Sequence, residues 1–260
     1  MAKCMLITSG KGGVGKTTLT ANVGAALALR GKNVVLIDTD IGLRNLDVVM
    51  GLENRIVYNL IDVIKKNCKL EQALIKDKRI KNLQLLAASQ QNLKEDMKDY
   101  ELREVVDSVL DLDVDYCLLD CPAGIEIGFM NAAKAAKEAI VVTQPEVSAI
   151  RDADRVVGLL SSMEVSSSLV INKYDRRMAK SGRMLDYLDV KDILGIDLIG
   201  VIPEDREVLG ASNIGLPIVL NGKGNAKKEF EMIAARIDGE PMDDKLHQGN
   251  IWGKIKEFLS

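Results

Sequence analysis

The sequence predicts a three-layer α/β/α fold around a mainly parallel, twisted sheet, and three observations support this prediction. Short apolar runs rich in β-branched residues alternate with segments of helical periodicity, which is typical of strands joined by crossover helices. Several of these runs are almost continuously apolar, as expected for strands covered on both faces. A glycine-rich stretch joins the first apolar run to the first helical segment.

Seven segments are predicted to be strands, in an order that alternates with helical patterns. They are residues 3–9, 33–38, 83–88, 115–120, 139–144, 168–173 and 198–203. The clearest helices are 17–30, which ends at Gly31, and 147–163, which follows Pro145. Glycine, proline and charged residues break the pattern near residue 238. We therefore expect a globular domain over 1–237, a flexible linker over 238–249 and a separate amphipathic helix over 250–260.

The composition argues against several classes of function. The formal net charge of −3 over 260 residues disfavours a generally basic nucleic-acid-binding protein. No signal peptide is visible, and no run reaches the about 18 apolar residues of a spanning helix, so we expect a cytoplasmic protein. The single histidine, His247, and four cysteines without metal-site spacing argue against histidine-based catalysis and a histidine or cysteine metal site.

The stretch "SGKGGVGKTT", residues 9–18, matches a phosphate-binding loop of P-loop NTPases. The motif requires a glycine, four free positions and then Gly-Lys-Thr. Lys16 is expected to contact the β- and γ-phosphates, and the Thr17 hydroxyl to bind Mg²⁺. Lys11 is an additional lysine that the motif does not require. The residues expected to surround the phosphates are Gly10, Lys11, Gly12, Gly13, Val14, Gly15, Lys16, Thr17 and Thr18.

Three aspartates follow predicted strands. Asp38 and Asp40 come at the end of "VVLIDTD", and Asp120 ends "CLLD". The carboxyl ends of parallel strands gather at one edge of a sheet, so all three can face the phosphate loop. There they can hold Mg²⁺ directly, hold it through water, or orient the attacking water. We expect Thr17, Asp38 and Asp120 to hold the magnesium ion.

The base of the nucleotide is less clearly specified by the residues. The stretch "NKYD" gives Asn172, Lys173 and Asp175 the spacing of the guanine-reading NKxD motif. GTP is therefore an alternative to ATP at this point.

Four stretches together resemble the ParA/MinD family of deviant Walker A ATPases, a group that also includes the nitrogenase iron protein. They are "KGGVGKTT", "DTDIGLRNLD", "DCPAGIE" and "TQPEVSAIRDADR". The resemblance runs in the same order over almost the whole chain. The last two stretches are similar to the septum-site-determining members of the family.

One departure is Cys121, which stands where a serine is expected, and no second cysteine has the spacing of a cluster site.

The resemblance implies an ATP- and Mg²⁺-dependent ATPase that forms a homodimer around its nucleotides. It implies that Lys11 reaches the phosphates of the other subunit and that Asp40 helps to position the hydrolytic water, so the catalytic residues would be Lys11, Lys16 and Asp40. Asn172, Pro203 and Asp205 would border the adenine. Asp152 would lie near the surface where MinC and MinE-like regulators compete, although "RDADR" also fits a solvated helix face with charge pairs.

The segment "GNIWGKIKEFLS" carries an apolar face at helical spacing. That face consists of Ile251, Trp252, Ile255, Phe258 and Leu259. Such a helix can pack on its own domain or lie in the plane of a membrane. The preceding linker favours an anchor on an anionic membrane surface, which places the protein on the inner face of the cell membrane.

Two other functions compete with an ATPase that recruits a division inhibitor to the membrane. A ParA-type DNA-partition ATPase is supported by a basic run, although such runs are usually solvated and the overall charge is unfavourable for DNA, so we expect no nucleic-acid partner. This run is Lys173, Arg176, Arg177, Lys180 and Arg183. A metal-cluster carrier would need a cysteine pair with CxxC spacing, which the sequence lacks.

Overall fold

The computed structural model describes residues 2–93 and 97–241. The linker residues 242–249 and the predicted amphipathic helix lie outside the described residues. The proposed membrane contacts Ile251, Trp252, Ile255, Phe258 and Leu259 fall in that part of the chain.

The described residues form one eight-stranded sheet in the order β3-β4-β2-β5-β1-β6-β7-β8. The strands are Lys3–Thr8 (β1), Val34–Asp38 (β2), Ile75–Lys76 (β3), Leu83–Leu86 (β4), Tyr116–Asp120 (β5), Glu138–Thr143 (β6), Ser166–Tyr174 (β7) and Asp197–Pro203 (β8). All neighbours are parallel except the edge pair β3 and β4. The seven predicted strands are confirmed with ends displaced by one or two residues, whereas β3 was not predicted.

Helices connect the strands on both sides of the sheet. They are Lys16–Leu29 (α1), Leu46–Val49 (α2), Leu60–Ile64 (α3), Leu70–Ala73 (α4), Asp99–Leu110 (α5), Ile127–Ala135 (α6), Val147–Ser162 (α7), Arg176–Lys180 (α8), Tyr187–Leu194 (α9), Arg206–Asn213 (α10), Ile218–Asn221 (α11) and Asn225–Ile237 (α12). A short 3₁₀ helix covers Glu53–Arg55. None of the helices in the described part is long and apolar enough to span a bilayer.

The sheet divides the buried apolar residues into two clusters, one on each face. Val35 and Ile37 of β2 pack in the cluster beneath α5, α6 and α7. Their neighbours Val34 and Leu36 pack in the cluster beneath α1 and α12. Successive residues of a strand point to opposite faces, so a continuously apolar strand is buried on both sides. This arrangement confirms the predicted three-layer fold.

The strand register brings the predicted acidic residues to one edge. Asp38 at the end of β2 lies opposite Asp120 at the end of β5, and Ile7 of β1 also pairs with Asp120. The glycine-rich loop leaves β1 one residue later, at Ser9. The carboxyl edge of the sheet therefore holds the loop and both aspartates.

Candidate nucleotide-binding site

The glycine-rich loop ends at the start of α1 with a backbone suited to an anion. Gly15 is the N-cap of α1 and has φ 103° and ψ 25°, a left-handed conformation that a residue with a side chain rarely adopts. Among the described residues, no side chain caps this helix, and its first turn contains no acidic residue. The first N–H groups of a helix lack partners within the helix and carry a partial positive charge. The geometry fits phosphate at this position.

The loop is held from below by the ends of two strands. Asn172 of β7 is buried and donates from Nδ2 to the Val14 carbonyl oxygen at 2.7 Å. Lys173 Nζ donates to the Gly13 carbonyl oxygen at 3.1 Å, and Gln144 Nε2 donates to the same oxygen at 3.2 Å. These bonds occupy loop carbonyls and leave the loop N–H groups for a ligand.

Asp120 lies beneath the start of α1 among hydroxyl groups. Thr20 Oγ1 donates to Asp120 Oδ1 at 3.1 Å, and the Thr17 side chain also hydrogen-bonds to this carboxylate. Burial raises the pKa of Asp120 to about 6, against the opposing effects of the Thr17 hydrogen bond and the Lys16 charge. A hydroxyl and a carboxylate beside a phosphate site are the hard oxygen groups that Mg²⁺ prefers.

Asp38 shapes the loop that follows β2. Its Oδ1 accepts from the Asp40 N–H at 2.9 Å, and its Oδ2 accepts from the N–H groups of Asn45 and Leu46, each at 3.1 Å. Burial, followed by the nearby Asp120 charge, raises the pKa of Asp38 to about 8. A buried carboxyl group whose ionisation is disfavoured by a neighbouring carboxylate fits a site completed by a cation.

A cavity of about 490 Å³ opens beside the loop and receives most of the predicted nucleotide contacts. Its predicted members are Gly13, Gly15, Lys16, Thr17, Thr18, Asn172, Pro203 and Asp205. Its remaining lining residues are Asn45, Val49, Lys173, Glu204, Arg206, Val208, Leu209 and Ser212. Sequence reasoning missed the contributions of α2 and α10. The sequence carried only a weak signal for them. Val208 and Ser212 are four residues apart, as are Asn45 and Val49, so each pair can lie on one face of a helix.

The structure does not support a guanine-reading role for the NKxD-like stretch. Asp175 Oδ1 accepts hydrogen bonds from the N–H groups of Arg177 at 2.7 Å and Met178 at 3.1 Å. Asp175 is therefore the N-cap of α8. It does not line the cavity, unlike Asn172 and Lys173.

Lys11, Asp40 and Asp152 do not line the cavity but belong to the loop or lie close to it or to Asp120. The Lys11 ammonium is 3.6 Å from Glu146 Oε2 and 3.4 Å from Ser148 Oγ, at the start of α7. Asp152 lies one turn further along α7, where a Cβ added to Gly10 would be 2.2 Å from its carbonyl carbon. Asp40 is close enough to Asp120 for its charge to raise the pKa of that carboxyl group.

Comparisons with known proteins agree with this geometry. The family model for the CobQ/CobB/MinD/ParA nucleotide binding domain matches residues 5–218. The septum site-determining protein MinD of Bacillus subtilis is 48% identical over 265 residues, which cover 100% of this chain and 98% of that protein.

Two solved structures share the fold over nearly their full length. The MinC:MinD cell division protein complex of Aquifex aeolicus contains a chain with a TM-score of 0.87 and 47% identity, covering 93% of this chain and 98% of that one. MinD from Pyrococcus horikoshii OT3, complexed with Mg-ADP, gives a TM-score of 0.83 and 31% identity over 92% and 97% of the two chains. The chain therefore belongs to the CobQ/CobB/MinD/ParA family of nucleotide-binding domains and, within it, to the P-loop ATPases of the septum site-determining MinD group.

Proposed function

We propose that the chain is an ATP-driven dimerisation switch that holds a division inhibitor at the membrane and so helps to position the septum. The observation that carries the proposal is the position of Lys11. It belongs to the phosphate loop, yet its half-exposed ammonium lies at the start of α7 and not in the cavity lining. A lysine in that position is available to the nucleotide of a second copy of the chain.

Apolar side chains near Lys11 support a second copy as the occupant of this face. Val147, next to Glu146, is 67% exposed. Ile125 and Ile127, which follow Asp120 in the chain, are 45% and 54% exposed. Apolar groups exposed beside a binding site commonly mark a protein–protein contact. We infer that the surface around Lys11 contacts both the nucleotide and the partner subunit.

The ligands of the site are ATP and Mg²⁺, and the proposed reaction is hydrolysis of ATP to ADP and phosphate. Lys16 is 9% exposed, so its charge acts on the phosphates with little screening by water. In this proposal Asp40 positions the attacking water. Thr17 and Asp120, with Asp38, would hold Mg²⁺, which neutralises phosphate charge when bound.

The regulators are proposed from the relatives and from α7. The Aquifex aeolicus relative was solved as a MinC:MinD complex. We propose that MinC and MinE-like regulators contact the part of α7 around Asp152, because Asp152 packs against Gly10 of the phosphate loop. A protein bound there could sense whether the nucleotide site is occupied.

The membrane contact is proposed from the sequence of residues 250–260. Burying each large apolar side chain gains about 1.5–3 kcal/mol. Ordering the backbone costs about 1–2 kcal/mol per residue, so one segment should bind only marginally. Two segments on one dimer bind together at high effective concentration. ATP would thus control membrane attachment by controlling dimerisation, and the protein would move between the cytoplasm and the inner face of the membrane.

Sedimentation with anionic vesicles in Mg-ATP and in Mg-ADP tests the proposal. We expect the full chain to sediment with vesicles in ATP and to stay in solution in ADP. Deletion of residues 250–260 is the control, and it should abolish sedimentation while Mg-ADP binding persists. Equal sedimentation in ATP and ADP would contradict the switch.

A ParA-type DNA-partition ATPase remains the alternative function. The basic run from Lys173 to Arg183 is its main support. Lys173 Nζ, however, donates to the Gly13 carbonyl oxygen, so this lysine helps to hold the phosphate loop. Retention on DNA at moderate salt, without vesicle binding, would replace the membrane proposal with this one.

A further inference from the structure

Two short helices, α2 and α10, form part of the wall of the nucleotide cavity. Val49 of α2 and Val208, Leu209 and Ser212 of α10 line the cavity. The chain segments that follow the two helices touch each other through backbone atoms. A Cβ added to Gly51 would be 2.6 Å from the Gly215 carbonyl oxygen, and one added to Gly215 would be 2.5 Å from Gly51 Cα. The spacing of the two helices is therefore set at this contact.

The apolar packing of helix α10 is limited to Val208 and Ala211, which are partly buried against the cluster beneath α1 and α12. None of its residues is fully buried. Leu209 is 66% exposed, and Ile214, directly after the helix, is 73% exposed. An element with few buried apolar contacts moves or opens at low free-energy cost unless polar bonds hold it. We therefore expect polar bonds to contribute to the position of α10.

Arg79, from outside the cavity, supplies one such bond to the segment after α10 and a second bond to the end of α2. Its Nη2 donates to the Met50 carbonyl oxygen at 2.5 Å, and its Nη1 donates to the Gly215 carbonyl oxygen at 2.9 Å. Met50 is the C-cap of α2, and Gly215 follows the end of α10. One guanidinium group thus joins the ends of both wall helices, although Arg79 does not line the nucleotide cavity.

Asp77 holds the guanidinium in this orientation. Arg79 Nε donates to Asp77 Oδ1 at 3.1 Å, and Nη2 donates to Oδ2 at 2.6 Å. The Asp77 side chain is 1% exposed, and its backbone N–H donates to the Leu83 carbonyl oxygen in the turn between β3 and β4. A bidentate carboxylate fixes the planar fork of an arginine, which a lysine cannot reproduce.

We propose that Arg79 is a positioning residue for the nucleotide. It fixes α2 and α10 relative to each other through the carbonyl groups of Met50 and Gly215. It thereby sets the width of the cavity beyond the phosphate loop, where Pro203 and Asp205 also lie. The base and ribose of the nucleotide depend on this part of the cavity, whereas the phosphates depend on the loop and α1.

Calorimetry can measure the binding of Mg-ADP and of Mg-pyrophosphate to the full chain, well below its unfolding temperature. Comparing the two affinities separates the part of the cavity that holds base and ribose from the phosphate loop and α1. We expect Arg79→Ala to weaken Mg-ADP binding about tenfold, equivalent to about 1.4 kcal/mol. Pyrophosphate has no base or ribose, so its affinity should change less than about twofold. A general loss of stability would not produce this contrast.

Arg55→Ala is the matched control. Arg55 borders the same small surface cavity of about 270 Å³ as Arg79, and its Nη1 donates to the Lys76 carbonyl oxygen at 2.5 Å. It bonds neither wall helix through that group, so both affinities should match those of the unsubstituted chain. Equal Mg-ADP affinities for Arg79→Ala and Arg55→Ala would overturn the proposal, as would equal losses of ADP and pyrophosphate binding.

Arg79→Lys carries the test if Arg79→Ala does not fold. An ammonium group can reach one of the two carbonyl oxygens but cannot reproduce the fork. We expect about threefold weaker Mg-ADP binding with unchanged pyrophosphate binding, between the unsubstituted chain and the alanine variant. A folded Arg79→Lys chain with unaltered Mg-ADP affinity would contradict the positioning role.

Discussion

Lys11 and Lys16 occupy one loop but have different surroundings. Lys16 is buried close to Asp120, whereas the Lys11 side chain is 46% exposed beside Glu146. Exposed ion pairs of this kind contribute little to stability. Lys11 can therefore exchange Glu146 for a phosphate group at small cost, which suits a residue that responds to a second subunit.

Lys11→Ala is predicted to separate dimerisation from nucleotide binding. The variant should retain Mg-ADP affinity, because Lys11 does not line the cavity of its own chain. It should lose the ATP-dependent dimer, since the proposed bond to the partner's phosphates is removed. Light scattering after gel filtration in Mg-ATP measures the dimer, and calorimetry measures ADP binding.

Lys227→Ala is the control for this experiment, because Lys227 forms a surface pair with Glu231 on α12 at 3.7 Å. It should dimerise like the unsubstituted chain. Normal ATP-dependent dimers of Lys11→Ala would rule out the action of Lys11 on the other subunit.

At the scale of elements, the β3–β4 hairpin depends on the ionised form of Asp77. Burial alone would raise the pKa of Asp77, but the hydrogen bonds and charge of Arg79 outweigh it and leave this pKa below its ordinary value. A carboxyl group with a lowered pKa in the folded state contributes stability above its unfolded-state pKa of about 4. That contribution is lost as the pH falls through the folded-state pKa.

Asp77→Asn is predicted to lower the free energy of unfolding by about 1.5–3 kcal/mol at neutral pH, the range for a hydrogen bond to a charged group. The difference from the unsubstituted chain should begin to shrink below about pH 4, where Asp77 takes up a proton in the unfolded state, and should be lost as the pH falls through the lowered folded-state pKa. Urea unfolding of both chains between pH 3 and 7 measures this difference in the free energy of unfolding. Asp113→Asn is the control, because Asp113 is exposed. If the stability difference between Asp77→Asn and the unsubstituted chain were the same at pH 3 as at pH 7, the stabilising role of ionised Asp77 would be contradicted.

The packing of α1 on the sheet gives a prediction that compares two glycines inside helices. A Cβ on Gly24 of α1 would be 2.5 Å from Leu36 Cδ2, and Leu36 is fully buried in β2. A Cβ on Gly158 of α7 would meet nothing within 4 Å. Both alanine variants gain helix propensity, but only one must displace a packed side chain.

Gly158→Ala should therefore be more stable than Gly24→Ala by about 1–3 kcal/mol, the usual cost of overpacking a core. Thermal unfolding of both variants without nucleotide measures the difference. Equal stabilities would show that Leu36 can move aside and that the close approach of α1 and β2 is not required.

The sequence predicted the elements whose pattern is local. Continuous apolar runs identified the seven longer strands, and the glycine-rich loop identified the start of α1. β3 escaped prediction because it has two residues and exists only through antiparallel pairing with β4. The role of α10 escaped because its eight residues carry only a short apolar pattern, and that pattern does not show that Val208, Leu209 and Ser212 face a nucleotide cavity. The contacts of Arg79 join segments distant in the chain and have no sequence signature.

At the scale of the whole molecule, the nucleotide cavity lies at the carboxyl ends of the strands, and Asp238, near the end of the described chain, lies at their amino ends. The Tyr116 hydroxyl, at the amino end of β5, hydrogen-bonds to Asp238 Oδ1 at 3.0 Å. Lys32, which precedes β2, lies 2.8 Å from the same carboxylate. The phosphate loop is at the carboxyl ends of these strands. None of the residues at the described end of the chain lines the nucleotide cavity, so dimerisation is the simplest route from ATP to the proposed membrane segment.

Trp252, the single tryptophan of the chain, provides the test of this route. We expect its emission to shift to the blue when anionic vesicles and Mg-ATP are both present, because the indole then enters an apolar environment. Mg-ADP should give no shift. Lys11→Ala should give none in Mg-ATP either, although it keeps the proposed membrane segment. In the proposal a single segment binds only marginally, and only the dimer presents two. A blue shift of Lys11→Ala equal to that of the unsubstituted chain would show that membrane binding does not pass through the dimer, and that nucleotide controls the segment within one subunit.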